Sequence, residues 1–340
     1  MPESVLQIED LSISFTNPGG EFEVVRELSV NVERGRTLAV VGESGSGKTV
    51  TGRAVMRLLP PAARARGRIV VAGRDVLAAS EQELRGIRGA DVAMVFQDSL
   101  SALSPYLSVG AQIVQAVRLH DSSVSRRDAR GRAVEMLRRV GIPGPADAAR
   151  RYPHEFSGGM RQRAVIAMAI VNRPALLVAD EPTTALDVTV QAQILALLRE
   201  LQDEYGMAML LISHDFAVVA SAADDVLVLY AGREAEYGSV GDIFEHPAHP
   251  YTAGLRAATP RLDADGEQAR LRAIPGAPTS LRDAGPGCAF APRCAFAARF
   301  EDRCVVELPP LTPRPAGAVG GVHRAACHLD RLPSLQGVAR

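Results

Sequence analysis

Thr37-Leu38-Ala39-Val40-Val41-Gly42-Glu43-Ser44-Gly45-Ser46-Gly47-Lys48-Thr49 is the stretch whose reading decides the fold. Thr37 to Val41 carries no charge and reads as a short buried strand. Gly42 to Thr49 then fits the spacing G-x-x-x-x-G-K-[ST]. A helical run over 48–59 follows, stopped by Pro60-Pro61. In that setting the glycines let backbone N–H groups close around phosphate oxygens, and the helix start adds the positive end of a dipole. Gly42, Glu43, Ser44, Gly45, Ser46, Gly47, Lys48, Thr49 and Val50 are the candidate phosphate-loop residues. Lys48 would reach the β- and γ-phosphates, and Thr49 would offer its hydroxyl to Mg²⁺. The competing reading is a glycine-rich turn without a ligand, and the flanking strand and helix weigh against it.

Lys48 is the only lysine among 38 basic residues. We read the arginines elsewhere as a coding bias. A position that stays lysine then marks chemistry that needs a compact ammonium on a slim stem.

Outward from the loop, strand and helix signals alternate. Residues 5–15 and 22–32 read as strands joined by Asn17-Pro18-Gly19-Gly20, and 92–96, 175–179, 207–212 and 226–230 as short buried strands. Residues 158–171, 188–205 and 216–222 read as helices. Residues 112–117 and 127–140 also look helical, which makes 98–156 a helical insert. The expectation is an α/β fold, with a mainly parallel sheet covered by helices on both faces and an antiparallel N-terminal β-subdomain. Pro and Gly increase from His246, so a boundary is expected between 1–245 and a small C-terminal extension over 246–340.

The composition is that of a globular protein, with 47% hydrophobic and 23% charged residues. A net charge of −1 gives no reason to expect nucleic acid as a partner. The arginines between Arg126 and Arg151 are diluted by acidic residues and read as a solvated helical face. No apolar run approaches the roughly 18–20 residues of a membrane span, and the acidic start lacks a signal core. The expected place is the cytosol, with any membrane role reached through a partner.

Leu176-Leu177-Val178-Ala179-Asp180-Glu181 is an apolar strand that delivers two carboxylates to its end, beside the phosphate loop in such a sheet. Asp180 would hold Mg²⁺, and Glu181 would orient and polarise an attacking water. Phe156-Ser157-Gly158-Gly159-Met160-Arg161-Gln162-Arg163 opens a helix with an N-cap serine and open N–H groups. Taken alone, either could be ordinary structure.

Together and in this order they resemble the ATPases of ABC transporters. Ser157-Gly158-Gly159-Met160 is similar to that family's signature, usually L-S-G-G-Q, with Phe156 for the leading Leu and Met160 for Gln. The resemblance covers about 5–238 and extends residue by residue. Phe15 matches the adenine-stacking aromatic, against the reading of a core strand aromatic. Gln97 matches the Q-loop glutamine near Mg²⁺ and water. Ala185-Leu186-Asp187 resembles the D-loop. His214 resembles the switch histidine at the γ-phosphate. The resemblance implies an ATPase that works in pairs, with each ATP between one subunit's phosphate loop and the other's signature.

Phe96-Gln97-Asp98-Ser99-Leu100-Ser101-Ala102-Leu103-Ser104-Pro105 further resembles the dipeptide and oligopeptide importer branch, though Ser99 and Ser104 replace its usual Pro and Asn. Tyr152-Pro153-His154-Glu155, His246-Pro247-Ala248-His249-Pro250-Tyr251-Thr252 and Gly287-Cys288-Ala289-Phe290-Ala291-Pro292-Arg293-Cys294 fit the same branch. That implies a second ATPase as heterodimer partner, two permease subunits, an extracytoplasmic peptide-binding protein, and a place on the cytoplasmic face of the membrane. Nickel importers share much of the pattern. An exporter ATPase or a soluble ABC protein is the more distant alternative.

Cys288, Cys294, Cys304 and Cys327 are the only cysteines, spaced C-x5-C-x9-C-x22-C within the final 53 residues. Structural disulfides do not suit a reducing cytosol. Four thiolates on one loop-rich module suit an iron–sulfur cluster or tetrahedral Zn²⁺, and free thiols are the third possibility. The resemblance implies a [4Fe–4S] cluster, which some importer ATPases of this branch bind. His323 and His328 flank the last cysteine and are expected to support rather than ligate.

Overall fold

The chain opens with a hairpin. Strands β1 (Ser4–Asn17) and β2 (Gly20–Glu33) pair antiparallel, with Asn17 opposite Gly20 across the predicted turn. The structure is a computed structural model and describes residues 3–98, 102–184, 186–259, 273–282, 284–315 and 322–333. Ser99, Leu100, Ser101 and Ala185, named above, lie outside them.

Strand β3 (Thr37–Val41) is buried throughout and feeds helix α1 (Lys48–Val55). Strands β4 (Ala63–Val71) and β5 (Arg74–Asp75) return to the hairpin and complete an antiparallel sheet of order β2-β1-β4-β5. Helix α2 (Glu81–Ile87) leads to strand β6 (Val92–Val95). Helices α3 (Val109–His120), α4 (Arg126–Arg139) and α5 (Pro145–Ala148) fill the predicted helical insert. Helix α6 (Gly158–Ile170), strand β7 (Leu176–Asp180), helix α7 (Val188–Tyr205), strand β8 (Ala208–Ser213), helix α8 (Phe216–Ala222) and strand β9 (Asp225–Tyr230) follow. The chain continues through strand β10 (Arg233–Ser239), helices α9 (Val240–Glu245), α10 (Pro250–Ala258) and α11 (Arg303–Val306), and strands β11 (Leu311–Pro313) and β12 (Arg324–Ala326).

Among the described residues the larger sheet has the order β11-β12-β10-β9-β3-β8-β7-β6. Strands β9, β3, β8, β7 and β6 are parallel, while β10, β12 and β11 add antiparallel. Both faces of the parallel part are covered. Because side chains alternate along a strand, Ala93, Val95, Leu177 and Ala179 enter one core with α6 and α7, and Val92, Met94, Leu176 and Val178 enter the other with β1 and β2. This double burial is why these strands read as continuous apolar runs. Parallel order also brings the ends of β3, β6, β7 and β8 to one edge, which is where the candidate residues sit.

Two segments differ from what the sequence pattern predicts. Helix α1 stops at Val55 rather than at 59, because Arg57 turns left-handed (φ 50). Arg57 N–H bonds to Ala54 O at 2.8 Å and Leu58 N–H to Arg53 O at 2.8 Å, a closing turn with arginine where glycine is usual. Residues 63–87 form β4, β5 and α2, elements the sequence pattern does not predict, and Ser80 with Glu83 makes a capping box. The segment after His246 packs on the parallel sheet. Strand β12 pairs with β10, Pro313 sits on edge strand β11, and Tyr251 and Phe290 share a core with Val41 and Tyr230.

Candidate functional site

The 42–49 loop closes tightly because two of its glycines have no room for a side chain. A Cβ on Gly42 (φ 153) would stand 2.2 Å from Leu229 O, and one on Gly47 (φ 104) 2.8 Å from Val24 O. The loop wraps the Lys48 side chain, which donates to Gly42 O at 2.6 Å and Glu43 O at 2.9 Å. Lys48 is only 6% exposed. Burial lowers its pKa, opposed by the carboxylates of Glu181, Asp180 and Glu43. Thr49 Oγ1 donates to Asp180 Oδ1 at 3.1 Å, which joins the first turn of α1 to the end of β7. Burial pushes the Asp180 carboxyl up, and the Thr49 hydrogen bond opposes it.

Glu181 follows with a left-handed backbone (φ 49), a conformation that costs a non-glycine residue about 1–3 kcal/mol. Its N–H is held by Ile212 O at 2.9 Å. The bend aims its carboxylate at a cluster of polar groups. Gln97 Nε2 donates to Oε2 at 2.8 Å, Thr184 Oγ1 donates to the same oxygen at 2.8 Å, and His214 Nδ1 lies 2.9 Å from Oε1. Burial works to raise this carboxyl, but the His214 and Thr184 hydrogen bonds outweigh it and leave it below its ordinary pKa. Glu181 therefore stands as a carboxylate at neutral pH.

The structure thus unites Lys48, Thr49, Asp180, Glu181, Gln97 and His214 at one sheet edge. Phe15 is half-buried and stacks on Phe22 with centroids 6.1 Å apart. Ser157 caps α6 by accepting from Met160 N–H at 3.3 Å, and Asp187 caps α7 by accepting from Val190 N–H at 2.9 Å. A Cβ on Gly159 would lie 3.1 Å from Val190 Cγ1, so these two helix starts abut. Among the described residues no hydrogen bond joins residues 157–160 to the 42–49 loop of the same chain.

Two sets of residues escaped the sequence. Thr184 is one; its role depends on the bend at Glu181. The other touches Glu43. Arg293 grips its carboxylate with two nitrogens, at 2.6 and 3.0 Å, and Tyr251 Oη accepts from its N–H at 2.7 Å. Tyr251 and Arg293 lie within tail motifs whose only sequence signal is the family resemblance.

The four cysteines line one small cavity of about 20 Å³ with Phe290, Phe296 and His328. Burial and the neighbouring thiols push Cys288 up to about 12 and Cys327 up to about 11. Burial also raises Cys294 and Cys304. Among the described residues, no group of three or more His, Cys, Asp or Glu side chains is placed to hold a single metal ion. His323 faces away, to Glu236 Oε1 at 2.8 Å.

Residues 25–184 match the ABC transporter family, and residues 235–304 match the oligopeptide/dipeptide transporter C-terminal region. The chain is 50% identical over 294 residues to the dipeptide transport ATP-binding protein DppD of Bacillus subtilis, covering 86% of this chain and 87% of that one. It is 47% identical over 295 residues to the oligopeptide transport ATP-binding protein OppD of Escherichia coli, covering 87% of each. Among solved structures, cbiO1 of Clostridium perfringens, part of the ABC transporter complex cbiONQ, superposes with a TM-score of 0.62 at 26% identity, covering 71% of this chain and 91% of that one. The chain belongs to the ABC transporter ATP-binding family, in the branch that carries the oligopeptide/dipeptide transporter C-terminal region.

Proposed function

We propose that this chain is the ATP-hydrolysing subunit of an importer of di- and oligopeptides, acting at the cytoplasmic face of the membrane. The observation that carries the chemistry is the Glu181 carboxylate, bent toward Gln97, Thr184 and His214 at the sheet edge that also presents the Lys48 loop. The peptide class is extended from the relatives, which are named for dipeptide and oligopeptide transport.

In this reading residues 42–50 bind the phosphates and Phe15 stacks on the base. Lys48 leaves its two carbonyl partners for the β- and γ-phosphate oxygens. Glu181 accepts the proton of the attacking water, Gln97 and His214 fix that water and the γ-phosphate, and Thr184 keeps the carboxylate aimed. Thr49 and Asp180, with Gln97 nearby, form a hard-oxygen donor set that fits Mg²⁺. Held there, Mg²⁺ would supply charge neutralisation for the phosphates as negative charge develops on them. Ser157, Gly158, Gly159, Met160 and Asp187 serve the ATP of a partner ATPase, which accounts for their separation from this chain's own loop.

The partners in this reading are a second, related ATPase, two permease subunits and an extracytoplasmic binding protein. Among the described residues no helix is long and apolar enough to cross a membrane, in keeping with attachment through permeases. Reconstitution with co-purifying permeases in proteoliposomes tests it. Binding-protein-dependent peptide uptake with stoichiometric phosphate release is expected. Nickel uptake without a peptide effect, or a chain that hydrolyses ATP as a homodimer indifferent to permeases, overturns it.

For the tail, we propose that Cys288, Cys294, Cys304 and Cys327 hold a [4Fe–4S] cluster with a structural role. A four-iron cube takes one thiolate at each iron, so its ligands stand further apart than those of one zinc ion. What supports this reading is that all four cysteines line one cavity. Their raised pKa values mean that they are protonated until a cation displaces the protons. Protein purified without oxygen is expected to be brown and to contain about four irons per chain. Colourless protein with stoichiometric zinc replaces the cluster by zinc, and four freely alkylated thiols remove the metal altogether.

A further inference from the structure

Glu43 is the first residue of the phosphate loop after Gly42, and every polar group it has is held. Its carbonyl accepts from Lys48 Nζ at 2.9 Å and from Ser46 N–H at 3.2 Å. Its N–H goes to Tyr251 Oη at 2.7 Å, and both carboxylate oxygens go to Arg293 at 2.6 and 3.0 Å. Two of these partners come from the tail. When Lys48 turns to phosphate, the carbonyl loses its ammonium partner, and Tyr251 and Arg293 are left to hold the loop in place.

Arg293 is suited to that task. Its side chain is 4% exposed, and it is anchored further by Pro275 O at 2.9 Å and Tyr230 Oη at 3.3 Å. The planar guanidinium meets the carboxylate with two parallel bonds, so it fixes orientation as well as distance. The arginine's own backbone is set by a tight turn between two cysteines. Ala291 N–H bonds to Cys288 O at 2.9 Å, Arg293 N–H to Phe290 O at 2.9 Å, and Cys294 N–H to Ala291 O at 3.2 Å. Any displacement of Cys288 or Cys294 therefore moves the base of the arginine that holds the phosphate loop.

We propose that Arg293 is a positioning residue for the phosphate loop, through which the cysteine module sets the affinity of the ATP site. The proposal rests on residues 42–49 being that loop. Coupling is reciprocal: if the module sets nucleotide affinity, bound nucleotide also steadies the module. It acts on binding rather than on the water-attack step, because the Arg293 guanidinium holds Glu43 of the phosphate loop and makes no hydrogen bond to Glu181, Gln97, Thr184 or His214.

The test is equilibrium titration of the full chain with a fluorescent MgATP analogue. Arg293→Ala and Glu43→Gln are each expected to weaken binding about tenfold, within the usual range of coupling between sites. The double variant is expected to be no weaker than either single one, since both remove one interaction. Cys294→Ser is expected to weaken binding in the parent but not further in Arg293→Ala. In the assembled transporter, Arg293→Ala is expected to raise KM for ATP and leave kcat at saturation near the parent value, a split that general destabilisation does not produce. Parent-like affinity of Arg293→Ala, or losses that add in either double variant, overturns the proposal. Should Arg293→Ala fail to fold, Arg293→Lys keeps the charge without the paired bonds. A loss of a few-fold is then expected, and parent affinity overturns the proposal. Lys48→Ala separates the two levels: if it binds the analogue like the parent, the phosphate-loop reading itself falls. If it loses binding while Arg293→Ala does not, only the coupling falls.

Discussion

Glu181→Gln is expected to retain MgATP binding while cutting turnover by about a hundred- to ten-thousand-fold, the usual contribution of a positioned general base. The substitution keeps the shape of the side chain and the left-handed backbone at that position (φ 49). It removes the acceptor for the water's proton. The new amide nitrogen also presents a donor to Gln97 and Thr184, or to His214, where a carboxylate oxygen stands in the parent. Lys48, Thr49 and Asp180 are untouched, so the phosphates keep their partners. Phosphate release by the assembled transporter, with nucleotide binding measured in parallel, checks both halves. In the two-ATPase reading the variant also accumulates as an ATP-bound closed pair, visible as an ATP-dependent shift in size-exclusion elution. Near-normal steady-state hydrolysis removes Glu181 from the role.

Most of this site was legible because a parallel sheet buried on both faces leaves a plain record. Its strands are uncharged runs, and the first polar residues after them fall at one edge. Gln97, Asp180-Glu181 and His214 each follow such a run, so their convergence could be expected without coordinates. Strand β4 was missed for the opposite reason. Over Ala63-Arg64-Ala65-Arg66-Gly67-Arg68 one face is arginine in solvent, and the other offers only alanine, too weak an apolar signal to read as a strand. Strands β11 and β12 are three residues each, below any periodicity, and are recognisable only once β10 is there to pair with them.

The contacts of Glu43 mark a harder limit. Arg293 lies 250 residues from its partner, and Tyr251 lies 208 residues away. Nothing local in either segment states that it packs on the phosphate loop. In the sequence both segments stand only as motifs that resemble the importer branch. Their meaning appears when Tyr251 and Phe290 enter the core that also holds Val41, the residue just before Gly42. The sheet then brings the tail to the loop, where the Tyr251 hydroxyl and the Arg293 guanidinium reach Glu43.

Lys48→Arg is expected to abolish MgATP hydrolysis, a loss on the order of a hundredfold or more, comparable to removing one charge-stabilising donor from an active site. Charge is conserved in this change, so the effect isolates shape. The ammonium sits within 2.6 and 2.9 Å of the carbonyls of Gly42 and Glu43 and is 6% exposed. A guanidinium is broad and planar, with five donors in a fixed fork that two carbonyls on one side cannot satisfy. The cradle has no slack to widen. Gly42 already abuts Leu229 O, Gly47 abuts Val24 O, and Arg293 and Tyr251 pin Glu43 from behind. The larger head is therefore displaced toward the space where the γ-phosphate must lie. Circular dichroism and thermal melting are expected to show a folded domain, because α1 and β3 owe their burial to neighbours other than the Lys48 head group. Phosphate release by the assembled transporter is the deciding measurement. Hydrolysis at the parent rate would show that the lone lysine among 38 basic residues is an accident of composition and not a demand of the phosphate loop.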